Sequence, residues 1–182
     1  VDYDAPMKRV VPIVVLALLV LSGLPVNAGD GQPGDRGPVF PSIVLRPLDG
    51  GDAVPIETFR GRPTLVTFWA TWCGPCRAEL PEIQRLYDQL AGRGFVVVAV
   101  NVDRSPRGVG AFLERLKLTL PVYRLEEGVL ARLGVRSIPM NVLLDADGRV
   151  VQLYRGYSPG MVHELRRELE PLLDREQGGG GA

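Results

Sequence analysis

The chain has 182 residues, 46% of them hydrophobic, and its 21 Lys plus Arg balance 21 Asp plus Glu. That length suffices for one domain with its own core, and the even charge speaks against a surface that tracks nucleic-acid phosphates. Two Cys and one His exclude a disulfide scaffold and a His-rich metal site.

Residues 7–28 read MKRVVPIVVLALLVLSGLPVNA. Lys8 and Arg9 form a positive start, residues 10–21 an apolar run, and Val26-Asn27-Ala28 a small-residue cleavage pattern. Residues 1–28 are therefore expected to be a signal peptide or signal anchor, with Met7 as a natural start. Extending the apolar run to residues 10–26 keeps a membrane anchor open, although it is shorter than the roughly 20 residues that span a bilayer comfortably. No Cys follows the run, so a lipoprotein anchor is excluded. Export places the domain where disulfides persist, on the outer face of the cytoplasmic membrane or in a bacterial periplasm.

Residues 29–39 lack apolar periodicity and read as a flexible linker. Residues 43–45 suggest a short strand, followed by a turn at 48–51; residues 55–59 suggest an edge segment or helical turn ended by Gly61. Thr64–Trp69 (TLVTFW) has the β-branched, nearly continuous apolar character of a central strand. A helix is predicted over 77–91, with Leu80, Ile83, Leu86, Tyr87 and Leu90 on one side, and a buried strand over 95–101. A helix over 108–116, a short strand over 120–123 and a helix over 127–133 follow. Met140–Leu144 is a strand, Asp145 to Gly148 a hairpin turn, and 150–154 its return. A final amphipathic helix over 161–173 precedes a disordered tail at 176–182. The order predicts an α/β domain over 40–175, with helices covering a mixed sheet.

Cys73-Gly74-Pro75-Cys76 falls between the central strand and the first helix. A Cys at a helix N-terminus meets unpaired backbone N–H groups and the positive end of the dipole, so Cys73 is expected below the free thiol value of about 8.5. Two intervening residues bring the second thiol within reach. Cys73 would attack a substrate disulfide and Cys76 would resolve the mixed disulfide. A structural disulfide closing so small a ring would staple little. A half metal site lacks a second Cys pair, and His163 stands alone in the last helix.

The stretch FWATWCGPCRAELP, residues 68–81, resembles the active site of the thioredoxin superfamily, in particular the exported branch containing TlpA, ResA and cytochrome c maturation reductases. The resemblance spans about residues 40–172 and implies a thioredoxin-like fold, a central mixed sheet flanked by helices with an extra N-terminal β-hairpin. It implies a cis-proline at Pro139 that leaves the Ile138 backbone for pairing with a bound peptide. It also implies a surface contact role for Trp72, while Trp69 packs around the motif. Gly74 and Pro75 shape the turn, and Pro81 bends the helix. Glu79, three residues after Cys76, matches a family position associated with tuning the dithiol, by proton exchange with Cys76 or by like-charge repulsion; a helix-dipole role is the plain alternative. The chain departs from general thioredoxins at Thr67, where they keep a buried Asp, and at Met140-Asn141, where the wider family has a Thr.

The leading expectation is an exported thiol–disulfide oxidoreductase that reduces oxidised exported proteins, such as apocytochrome c or a copper-site assembly protein. Electrons would come from a membrane dithiol carrier. The enzyme would be a monomer needing no cofactor, no metal and no nucleic acid. The alternatives are a disulfide-forming oxidant using the same residues, and a non-catalytic module holding clients against Trp72 and Pro139.

Overall fold

The computed structural model describes residues 37–178. The expected signal or anchor over 1–28, residues 29–36 of the linker and residues 179–182 of the tail lie outside the described residues. A leading hairpin, β1 (Val44–Pro47) and β2 (Val54–Pro55), precedes β3 (Thr64–Trp69) and α1 (Gly74–Leu90). Then come β4 (Val96–Asn101), α2 (Val109–Arg115), β5 (Val122–Arg124) and α3 (Val129–Arg132). A second hairpin, β6 (Met140–Leu144) and β7 (Val150–Arg155), leads into α4 (Met161–Gly178).

The strands join in the order β2-β1-β5-β4-β3-β6-β7. β3 runs parallel to β4 and antiparallel to β6, and every one of its residues is buried. A strand covered on both faces cannot alternate polar and apolar residues, which is why TLVTFW reads as a nearly unbroken apolar run. Leu65 and Trp69 face a core built with α1, α2 and α4, while Val66 and Phe68 face a second core with Phe40, Leu45, Ile56 and Val129. This is the thioredoxin-like arrangement the resemblance implies, its extra hairpin lying beyond β5.

Several boundaries differ from expectation for local reasons. Cys73 caps α1, so the helix opens at Gly74 rather than 77. Gly108 and Gly128 have φ of 82° and 79°, outside the right-handed helical region, so α2 and α3 begin only after them. The 55–59 segment resolves into the end of β2 and a 3-10 turn over Ile56–Phe59. α4 runs on to Gly178 past the last buried leucine, Leu173, through Arg175, Glu176 and Gln177, which are good helix formers. Residues 37–39, expected within the linker, instead lie beside the second hairpin: Val150 N–H donates to the Pro38 carbonyl at 2.9 Å and Phe40 N–H to Gly148 at 2.9 Å. Gly37 is needed there, since a Cβ would stand 2.0 Å from the Val150 carbonyl oxygen.

Candidate active site

β3 delivers the chain to a tight turn, in which Cys73 N–H donates to the Ala70 carbonyl at 3.2 Å. Cys73 then serves as N-cap of α1, and its Sγ accepts the Cys76 backbone N–H at 3.2 Å. That donor is one of the four an α-helix leaves unpaired at its start. Together with the helix dipole it stabilises negative charge on this sulfur. Pro75 lies in the first turn, where its missing N–H costs no helical hydrogen bond. The two cysteines form a disulfide with Cα atoms 5.3 Å apart. Cys73 is 5% exposed and Cys76 0% exposed, so a partner in solution meets only Cys73.

Glu79 lies one turn beyond Cys76 on the same buried face of α1 and is itself 0% exposed. Beneath it the sheet presents Thr67 of β3 and Asn141 of β6, cross-strand partners and both fully buried. Asn141 Nδ2 donates to Glu79 Oε1 at 2.7 Å. Burial raises the Glu79 pKa from 4.5 to about 7, the Asn141 hydrogen bond opposing the shift and the Glu82 charge adding to it. Glu79 thus sits where it can gain or lose a proton near neutrality.

The Redoxin family profile matches residues 32–169. A thiol-disulfide oxidoreductase ResA of Geobacillus thermodenitrificans is 35% identical over 148 residues, covering 79% of this chain and 84% of the relative. The chain belongs to the Redoxin family. A ResA of Bacillus cereus is 30% identical over 168 residues, covering 88% of this chain and 93% of its own. The crystal structure of a thioredoxin-family thiol:disulfide interchange protein from Chlorobium tepidum TLS matches with TM-score 0.65 and 26% identity, covering 76% of this chain and 97% of that one. The protein is therefore a thiol–disulfide oxidoreductase with the thioredoxin-like fold, and its CxxC-spaced Cys73 and Cys76 form a disulfide.

Around the dithiol, Trp72 is 65% exposed, an apolar surface beside the accessible sulfur. Trp69 is buried and stacks on Phe112 with ring centroids 5.3 Å apart. The Ile138–Pro139 peptide is cis. Pro139 directly precedes β6, whose first residue Met140 pairs with Phe68 near the end of β3, so it lies at the dithiol end of the sheet. Pro81 lies inside α1, where it deprives the Arg77 carbonyl of its helical donor.

Two participants escaped sequence reasoning. Asn141 differs from the Thr of the wider family, and nothing in that difference points to its contact with Glu79. Asp103 holds the loop before Cys73: Thr71 N–H donates to its Oδ2 and Thr71 Oγ1 to its Oδ1, while Asn101 Nδ2 donates to Oδ2 at 2.7 Å. The available signal was an acidic residue just past the end of a strand that runs parallel to β3.

Proposed function

We propose that the protein is an exported reductant of disulfides in other exported proteins, with Cys73 as nucleophile, Cys76 as resolving thiol and Glu79 as proton acceptor. The carrying observation is the asymmetry of the dithiol: Cys73 caps α1 with its sulfur on a backbone N–H and keeps 5% exposure, whereas Cys76 has none. In the reduced protein the Cys73 thiolate attacks one sulfur of a client disulfide. The client S–S bond breaks, a Cys73–client disulfide forms, and the client's other sulfur leaves as a thiolate. Cys76 gives its proton to the Glu79 carboxylate and attacks the Cys73 sulfur. This expels the second client thiolate and leaves the Cys73–Cys76 disulfide. The client gains two electrons, and the thiolates take up protons from Glu79 and solvent.

Trp72 and the Ile138-Pro139 segment are the client contacts in this reading, supported by the exposure of Trp72 and the position of Pro139 at the dithiol end of the sheet. Export rests on the 1–28 segment, and a membrane dithiol carrier is the electron source such a location requires. Apocytochrome c and copper-site assembly proteins are the client classes the family resemblance favours. Equilibration with glutathione tests the direction. A potential near −270 mV or lower fits a reductant, and one near −120 mV assigns the oxidant role instead. A Cys76→Ser variant then holds clients as mixed disulfides for identification.

A further inference from the structure

Glu79 and Asn141 share one hydrogen bond, and each keeps one further buried oxygen without a partner, Glu79 Oε2 and Asn141 Oδ1. Two buried acceptors on side chains already joined cannot satisfy one another while the carboxyl is ionised. A single proton on Oε2 changes that. The acid O–H then donates to Oδ1 while Nδ2–H continues to donate to Oε1, so the carboxyl and the amide close into a doubly bonded pair. When the proton leaves, the Nδ2–H···Oε1 bond remains and is charge-assisted.

We propose that Asn141 is a positioning residue for the redox step, holding the Glu79 carboxyl in place under Cys76 in both of its protonation states. The inference rests on the proton-exchange reading of Glu79 given above. In the resolving step the Cys76 S–H bond breaks, an O–H bond forms on Glu79, and the new acid hydrogen is received by Asn141 Oδ1.

The surroundings fit this role. Thr67 and Tyr154 flank Asn141 in register on β3 and β7, so the amide is held between two strands. Glu82 on α1 adds its charge to the burial of Glu79, and Tyr157, whose hydroxyl donates to Glu82 at 2.9 Å, feels both carboxylates and the Arg85 cation, while Tyr154 on β7 faces Glu164, Glu168 and Arg167. Burial pushes Tyr154 up to about 12, so it stays neutral while Glu79 titrates. Of the influences acting on Glu79 itself, the Asn141 hydrogen bond is the one that favours the carboxylate, against burial and the Glu82 charge.

The test follows the Glu79 carboxyl carbon by NMR titration of the full-length oxidised protein and, in parallel, the Cys76 β-carbon by NMR titration of the reduced protein. Asn141→Leu, close in volume and without donor or acceptor, is expected to raise the Glu79 midpoint by about one to two pH units, with the Cys76 titration curve moving alongside. Glu79→Gln is expected to remove the Glu79-dependent step from the Cys76 titration curve with either residue at 141. An unmoved Glu79 midpoint in Asn141→Leu would overturn the role of Asn141 while leaving that of Glu79 intact. A Cys76 titration curve that Glu79→Gln does not alter would instead overturn the Glu79 reading. Difference infrared spectra of the unmutated protein give a variant-independent check. Protonation of Glu79 is expected to shift the Asn141 amide carbonyl band to lower frequency, and an unshifted band overturns the paired acid.

Discussion

Thr71 is fastened to Asp103 twice, by its backbone N–H at 2.9 Å and by its hydroxyl at 2.8 Å. Asp103 follows β4 and Thr71 follows β3, so the parallel pair of strands brings acceptor and donors together. The loop between β3 and Cys73 is thus braced from the neighbouring strand. Asp103→Ala is expected to cost about 1–3 kcal/mol of stability and to slow exchange with glutathione disulfide. Urea unfolding and exchange kinetics measure both, and the idea fails if the exchange rate is unchanged.

Glu79 makes stability depend on pH. In the unfolded chain it ionises near 4.5, in the folded one near about 7, so the folded state holds the extra proton between those values. Stability from this group is full below 4.5 and declines as pH rises towards about 7, then stays level. Over that window Glu79→Gln is expected to gain on the wild type by about 3 kcal/mol. Urea unfolding of the oxidised proteins at pH values below and above the window would settle it, and a constant difference would contradict the buried-acid account.

Trp72 projects into solvent, so its removal costs the fold little. Trp72→Ala is expected to keep stability within about 0.5 kcal/mol, while reduction of a folded protein disulfide slows several-fold and reduction of a small disulfide does not. Parallel losses on both substrates would argue against a client-contact role.

Gln84 is a tie between α1 and the segment before β5. Its Oε1 accepts from the Thr119 and Leu120 backbone N–H groups at 2.7 and 3.1 Å, and its Nε2 donates to Asp88 and to the Thr119 hydroxyl. Gln84→Ala strands two backbone donors and is expected to cost about 2–3 kcal/mol, read as a lower urea midpoint with an unchanged slope.

The parts of the site legible in the sequence were those carried by local pattern. The apolar run of β3, the CxxC spacing and the place of Cys73 at a helix N-terminus lie within thirteen neighbouring residues. Glu79 was legible too, because it shares a helical stripe with Cys76 and Ile83. Asn141 and Asp103 were not, since each acts on a residue distant in sequence: Asn141 reaches Glu79 across 62 positions through the packing of α1 on the sheet, and Asp103 reaches Thr71 across 32 through strand pairing. No local propensity encodes such a meeting. Helix starts were misjudged where a glycine sits at positive φ, a backbone state that its letter permits without requiring.

The backbone around residues 37–40 also sets an orientation. β3 points towards the dithiol and β6 points away from it, so the turn closing the second hairpin lies at the far pole of the sheet. It is against this turn that the chain docks as it enters the domain, through Phe40 on Gly148 and Val150 on Pro38. Residue 37 therefore enters the domain at the pole opposite Cys73, the shank of a hook whose point is the dithiol end of the sheet.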